Sequence, residues 1–441
     1  MPEPHDAIPA AADVIHPHLW PAGAKRAGDG ELTLAGHRVS RLLAEFGSPL
    51  YVIDESDFRA RAAAFAAAFS GWDVYYAGKA FLCKAVVRWV DEAGLSLDVC
   101  SGGELAVALA AGFPPGRIEL HGNNKSEGEI AYAMDVGVGR IIADSFDEIA
   151  RIERLAGERG TRARVLVRVT TGVTAHTHEY IATSHEDQKF GFSIQSGQAM
   201  AALLACHEAA HIDCAGLHSH IGSQILDTGG FEVAAGRLAG LAADFLERTG
   251  AGLPEVNLGG GFGIAYTPAD TALTPAELRA VLSQTPLAGR LAIEPGRAIA
   301  GPAGVALYTV GTVKPVEYAT GHTRLYVSVD GGMSDNIRPA LYGADYHAVL
   351  AGRTSGCEPR LARVVGKHCE SGDILVRDVT LPSDVRPGDI LAVPAAGAYT
   401  RSMASNYNHA ARPAVVAVTP GEARIILRRE TPEDLMATDV G

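Results

Sequence analysis

"DVYYAGKAFLCKAVVRWVDEAGLSLDVCSGGELAVALAAG", residues 73–112, holds two short apolar runs, "DVYYA" and "SLDV". Each closes on a turn rich in glycine or polar residues and is followed by a stretch with apolar residues at helical spacing. Strand followed by helix, repeated, is the mark of parallel βα units. Working outward, the unit recurs. "RIELHGNNK" (117–125) precedes "SEGEIAYAMDVG", and "RIIADS" (140–145) precedes "FDEIARIERLAGERG". "ARVLVRV" (163–169) follows, then "IDCAGLHSHIGS" (212–223) ahead of an Ala- and Leu-rich helix near 231–249. "EVNLGGGFGI" (255–264) and "RLAIEPGR" (290–297) complete eight strand-like runs. The runs are nearly continuous in apolar residues, as expected of strands buried on both faces.

Polar residues gather at the ends of these runs and not at their starts: Lys79, Asp98, His121, Asp144, Arg168, His220, the Gly259–Gly261 triplet and Glu294. In a closed (β/α)8 barrel all strand C-termini converge on one face, where chemistry is carried out. A doubly wound sheet would use a single switch point instead. The pattern therefore predicts a TIM-like barrel. After about residue 310 the texture changes to alternating strands with Gly, Pro and Asp turns, such as "TRLYVSVDGG" and "GDILVRDVTLP", which predicts an antiparallel β domain. The expected division is a loosely ordered segment 1–25, strands in 26–47 that join the β domain, the barrel over 48–309 and the β domain over 310–441.

Composition narrows the function. The chain has 441 residues, 47% hydrophobic and 20% charged, in the range of a globular protein with a sizeable core. A net charge of −13 argues against nucleic acid and anionic membranes as partners, since both need clustered Lys and Arg. No basic start leads into an apolar stretch, and no uncharged apolar window of about 18 residues occurs, so a cytoplasmic protein without a membrane segment is expected. The cysteines at 83, 100, 206, 214, 357 and 369 have no CxxC pairing and no small-scaffold density, which fits a reducing compartment and no structural metal.

Several motifs could carry chemistry. "YYAGKA" puts Lys79 at a strand end among apolar neighbours, where a desolvated amine forms a Schiff base readily; a lysine snorkelling from the strand end is the plainer reading. "NLGGGFGI" offers consecutive glycines that let backbone amides approach a phosphate, or a tight turn. "LAIEPGRA" places Glu294 at a strand end beside Gly296 and Arg297, either facing a cofactor or closing a surface turn. His218 and His220 in "HSHIGSQ" lie two apart, on one face of a strand. They suit a zinc site lacking a third recognisable ligand or, equally, a ring stacked on an aromatic cofactor. In "GKHCESGD" (366–373), Cys369 is open to reading as a nucleophile, a ligand, a small buried hydrophobe or half of a site completed elsewhere.

Together these motifs resemble the fold-type III pyridoxal-phosphate-dependent decarboxylases, whose fold is alanine racemase-like. The resemblance runs from about residue 30 to the C-terminus. It is carried in order by "YAGKA", "DVCSGGEL", "HGNNK", "HEDQKFGFS", "HSHIGSQ", "NLGGGFGI", "EPGR", "VDGGMSDNIRPALYGA", "GKHCESGD" and "GAYTRSMASNYN". It implies pyridoxal 5'-phosphate held by Lys79, with His220 stacked on the ring, Glu294 at the pyridine nitrogen and Asp98 among the cofactor contacts. Ser223, Gly260, Gly261, Gly296, Arg297 and Tyr399 would surround the phosphate. Arg297, Arg338, Tyr342, Glu370 and Tyr399 would meet the distal end of the substrate, and Cys369, supplied by the neighbouring subunit, would return a proton to the α-carbon. A carboxylate at the ring nitrogen keeps it protonated and favours decarboxylation, where the related racemases place an arginine. Two arginines with Glu370 suit a distal group bearing both carboxylate and amine. The implied reaction is thus decarboxylation of meso-2,6-diaminopimelate to L-lysine and carbon dioxide in a homodimer with composite sites. Ornithine, arginine or carboxynorspermidine as substrate, and a non-catalytic binding relative, are the alternatives. "HEDQKFGFS" is expected to form a flap over 185–193, with Gln188 or Lys189 near the mouth; a plain surface loop is the alternative.

Overall fold

The computed structural model describes residues 13–173, 189–319 and 321–441. The chain divides into two units. One comprises the chain up to Ala60 with Ile264–Thr271 and Ile299–Gly441; the other comprises Arg61–Gly263 with Ala272–Ala298.

The second unit is the expected barrel. Its strands are β1 (Asp73–Ala77), β2 (Ser96–Val99), β3 (Ile118–Leu120), β4 (Arg140–Ala143), β5 (Ala163–Thr170), β6 (Ile212–Ser219), β7 (Glu255–Asn257) and β8 (Arg290–Ile293). All neighbours pair in parallel, β8 pairs with β1, and β4 pairs with β5, so the sheet closes. Strand-to-helix transitions are fixed by a recurring Ser-x-x-Glu. The Ser101, Ser126 and Ser145 hydroxyls accept the backbone N–H of Glu104, Glu129 and Glu148 at the starts of the helices Gly102–Ala110, Glu127–Val136 and Phe146–Glu158. The glutamates in turn accept backbone N–H groups just ahead: Glu104 from Cys100 (2.6 Å), Glu129 from Ser126 (3.0 Å) and Glu148 from Asp144 (2.9 Å). These caps satisfy donors that would otherwise be orphaned at the barrel's upper rim.

Polar residues also stand at strand starts, contrary to the pattern read from the sequence. Asp73, Arg140, Glu255 and Arg290 begin four strands, and they neutralise one another. Arg140 Nε lies 2.5 Å from Glu255 Oε2, and Arg290 pairs with Asp73. Ion pairing across strands lets charge sit there, and it is invisible in a one-dimensional reading.

The first unit holds a sheet in the order Ile374–Pro382, Pro359–Val365, His322–Val329, Gly304–Ala319, Leu50–Asp54, Ala414–Thr419, Glu422–Leu427. It is mostly antiparallel, but His322–Val329 runs parallel to Pro359–Val365, and Leu50–Asp54 parallel to Ala414–Thr419. The expected boundaries shift accordingly. Leu50–Asp54, placed in the barrel by the 48–309 division, is buried throughout and pairs with Gly304–Ala319. A short apolar run buried on both faces looks the same whichever sheet receives it. The strands Ala24–Arg26, Leu32–Leu34 and His37–Arg38 form their own three-stranded sheet rather than adding to the larger one. Leu19 and Trp20 fall in the segment expected to be loosely ordered, yet they are fully buried in one core with Leu32, Leu34, Leu50, Val305, Leu307 and Val416.

Candidate active site

The strand C-termini of the barrel carry the residues the sequence pointed to. Lys79 stands two residues beyond β1, Asp98 is in β2, His121 follows β3, Arg168 is in β5, His220 follows β6, and Glu294 follows β8. The Lys79 side chain is exposed between buried Gly78 and Ala80, so the desolvated amine expected from its apolar neighbours is not found; the strand buries those neighbours while the long side chain leaves the sheet. Its ammonium is still near enough to oppose the burial that raises the pKa of Asp98 and to add to the burial that lowers that of His220.

Glu294 is 6% exposed and is the centre of a buried polar cluster. Asn257 Nδ2 donates to its Oε1 at 2.8 Å, His218 Nε2 lies 2.9 Å from the same oxygen, and His121 Nε2 lies 3.3 Å from it. Asn257 Nδ2 also reaches Glu119 Oε1 at 3.1 Å, and His121 Nε2 is 3.4 Å from Glu119 and 3.7 Å from Asp98. Burial alone would raise the pKa of Glu294, but His218 and His121 beside it hold it well below the usual carboxylate range. Burial, with Glu294 and Asp98 adding, pushes Glu119 well above that range, and Asp98 is pushed by burial up to about 6. Burial lowers the pKa of both imidazoles while Glu294 opposes that shift, and Glu294 is the ionised carboxyl of the cluster. Their nitrogens are close but not aligned for linear hydrogen bonds. One ligand atom from each of His121, His218 and Glu294 lies within 4.8 Å of the others, a set able to hold a metal ion. The Asn257 amide donating to Oε1 is repulsive to a cation there, so the donor set suits a hydrogen-bond network better.

The loops after β6, β7 and β8 are stitched together. Gly260 N donates to His220 Nδ1 at 3.2 Å, Ile225 N to the Gly261 carbonyl at 2.9 Å, and Glu294 N to the Gly259 carbonyl at 2.9 Å. Side chains are excluded here: a Cβ on Gly260 would collide with the Glu294 carbonyl oxygen, and one on Gly261, whose φ is +101°, with that of Gly222. Gly260, expected at a phosphate, thus directs its amide to the His220 ring. Burial, and then the Lys79 ammonium, keep that ring neutral by lowering its pKa well below normal. Ser223 Oγ accepts from Arg297 Nη2 at 2.8 Å, and a Cβ on Gly296 would press on Ala77 and Ala80. The crowded glycines, a flat neutral imidazole, an Arg–Ser pair and a buried ionised carboxylate fit a phosphorylated aromatic cofactor with a basic ring nitrogen.

The other predicted residues belong to the first unit. Arg338 is 4% exposed, its guanidinium 4.6 Å from the Tyr266 ring centroid and 2.5 Å from the Tyr346 hydroxyl; it forms no ion pair with a described residue. Sequence reading missed both tyrosines, although "ADYHA" directly follows the motif that holds Arg338. Tyr342 and Tyr399 are half-buried, and Tyr399 has φ 58°, a costly conformation for a side-chain-bearing residue. Cys369 and Glu370 are exposed, with Glu370 accepting from the Tyr407 hydroxyl. Their turn is built by Asp373, which accepts the amides of Met333 (2.6 Å) and His368 (2.7 Å). Of the expected flap, residues 185–188, with Gln188, lie outside the described residues. Phe192–Ser193 pairs with the end of β5, and Lys189 Nζ lies 4.7 Å from the Phe190 ring centroid.

This barrel, with a lysine beyond its first strand and an ionised glutamate beyond its last, belongs to a known class. A family described as "Pyridoxal-dependent decarboxylase, pyridoxal binding domain" matches residues 55–301. The diaminopimelate decarboxylase of Mycobacterium tuberculosis is 54% identical over 444 residues, covering 97% of this chain and 99% of its own. That of Bacillus subtilis is 46% identical, covering 93% and 95%. The crystal structure of the M. jannaschii diaminopimelate decarboxylase in complex with L-lysine superimposes with a TM-score of 0.89 at 32% identity, covering 96% of this chain and 99% of that one. The chain belongs to the pyridoxal-dependent decarboxylases and, within them, to the diaminopimelate decarboxylase family.

Proposed function

We propose that the chain binds pyridoxal 5'-phosphate at the C-terminal end of its barrel and decarboxylates meso-2,6-diaminopimelate to L-lysine and carbon dioxide. The observation that carries this is Glu294, a buried carboxylate kept ionised where a basic ring nitrogen needs a partner. When bound, the cofactor supplies an electron sink for the pair of electrons left on the α-carbon as carbon dioxide departs.

The chain's own residues do the rest. Lys79 would hold the cofactor through its aldehyde, Glu294 would keep the ring nitrogen protonated, and His220 would face the ring, with Asp98 among the cofactor contacts. Ser223, Gly261, Gly296, Arg297 and Tyr399 enclose the phosphate. Arg338 supports the substrate assignment: a buried guanidinium packed on a pair of tyrosine rings, without an ion pair to a carboxylate among the described residues, suits the distal carboxylate of a diamino diacid. Arg297, Tyr342 and Tyr399 line the same end of the substrate, and Glu370 takes the distal ammonium. Cys369 returns a proton to the α-carbon. The exposure of Cys369 and Glu370 on the single chain supports their completing the site of a second copy. The cysteine usage of the chain, without CxxC pairing or small-scaffold density, supports a cytoplasmic location.

The cofactor's seat is tested by reducing the cofactor-loaded protein with borohydride and mapping its peptides. The phosphopyridoxyl group is expected on Lys79; its attachment to another lysine, or to none, would overturn the reading.

A further inference from the structure

Glu294 does not stand alone at the end of β8. Asn257 Nδ2 at 2.8 Å, His218 Nε2 at 2.9 Å and His121 Nε2 at 3.3 Å all converge on its Oε1, and the Glu119 carboxyl also lies within hydrogen-bonding reach of it. These neighbours come from three strands: His121 from the end of β3, His218 from β6 and Asn257 from β7. Exposures of 5%, 1% and 1% shield the arrangement from bulk solvent. Behind them, Glu119 (0% exposed) accepts from the same Asn257 amide and lies 3.4 Å from His121.

We infer that His121, His218 and Asn257, backed by Glu119, are positioning residues that anchor one oxygen of Glu294 and present the other to the cofactor's ring nitrogen. This deepens the proposed function and rests on it. Two carboxyls meeting at one amide in a buried site disfavour ionisation of both. Glu119 has no imidazole as near as the 2.9 Å contact His218 makes with Glu294, and it lies 3.4 Å from the nearest one. It therefore carries the proton and Glu294 the charge, the direction in which both are shifted. The imidazole nitrogens, close to Oε1 yet unaligned, are of the kind that straighten when a ligand takes the opposite oxygen. Without them the buried anion would be left with Asn257 and the Glu119 carboxyl, and it would hold the ring proton less firmly.

The test uses purified protein loaded with cofactor labelled with nitrogen-15 in the ring. In the wild type the ring nitrogen should show the signal of a protonated pyridine. His218→Phe should move that signal towards the unprotonated position and lower kcat on the order of tenfold, the equivalent of one pKa unit, with little change in KM. His218→Gln, which restores an N–H donor, should recover part of both. In a Glu294→Gln background, where no carboxylate remains to be positioned, His218→Phe should cost almost nothing further. A purely structural role would leave the nitrogen signal in place and carry the full loss into that background, and either result would overturn the inference. Should His218→Phe not fold, His121→Phe is read in the same way. A wild-type protein that takes up no cofactor would instead sink the reading of the site as a whole.

Discussion

Arg338 lies in "NIRPALYGA", which identifies a short helix and nothing about what surrounds the guanidinium. The two tyrosines that flank it come from elsewhere, Tyr266 from the segment 264–271 and Tyr346 from beyond the helix Arg338–Tyr342, and their rings meet edge to face, 5.0 Å apart. Such pairings across a fold are not written in local spacing, and both tyrosines were missed for that reason. The same holds for Glu119 and Asn257: each is a polar residue inside an apolar run, "RIEL" and "EVNL", and that interruption was the available signal. Lys79 and Glu294 were legible because a strand end is a local feature. A buried, stacked guanidinium is poorly replaced by a point charge. Arg338→Lys should therefore raise KM for diaminopimelate, and Arg338→Ala should lower kcat/KM by about 2–5 kcal/mol, mostly through KM. Unaltered steady-state constants in both variants would make the arginine structural and remove the support for a substrate with a distal carboxylate.

The βα unit explains which residues must be exact for reasons other than chemistry. Lys125 in "HGNNK" is 3% exposed, and its ammonium is fixed by the carbonyls of Gly122 (2.6 Å) and Ile142 (2.7 Å) and by Glu148 Oε2 (2.9 Å). It ties the loop after β3 to β4 and to the helix Phe146–Glu158, work that a motif match does not reveal. Removing it in Lys125→Ala leaves the buried Glu148 with backbone donors but without its cation, at a cost of roughly 3–5 kcal/mol in urea unfolding. Replacing both partners together, Lys125→Met with Glu148→Leu, should cost clearly less than that single change. An equal or larger loss in the double variant would show that the pair stabilises the loop by more than mutual neutralisation. Periodicity revealed these units, but not where the barrel begins. Leu50–Asp54 has the same buried apolar character as a barrel strand and is claimed by the other sheet because its partners, Gly304–Ala319 and Ala414–Thr419, lie far along the chain.

At the scale of the whole molecule, the residues assigned to the reaction are divided between the two units of the chain, with Cys369 and Glu370 exposed on the first. If they complete a partner's site, Lys79→Ala and Cys369→Ala homodimers should each be nearly inactive. After subunit exchange about half the dimers are mixed, each with one site bearing both lesions and one bearing neither, so activity should return to about a quarter of wild type. Exchange without recovery would place Cys369 in its own subunit's site. All of this presupposes the reaction itself, and the most direct measurement is to follow purified protein, supplied with pyridoxal 5'-phosphate and meso-2,6-diaminopimelate, for lysine and carbon dioxide together. The account predicts the two in equal amounts, with no carbon dioxide from ornithine or arginine under the same conditions. No lysine from diaminopimelate, or faster carbon dioxide release from ornithine or arginine, would contradict it.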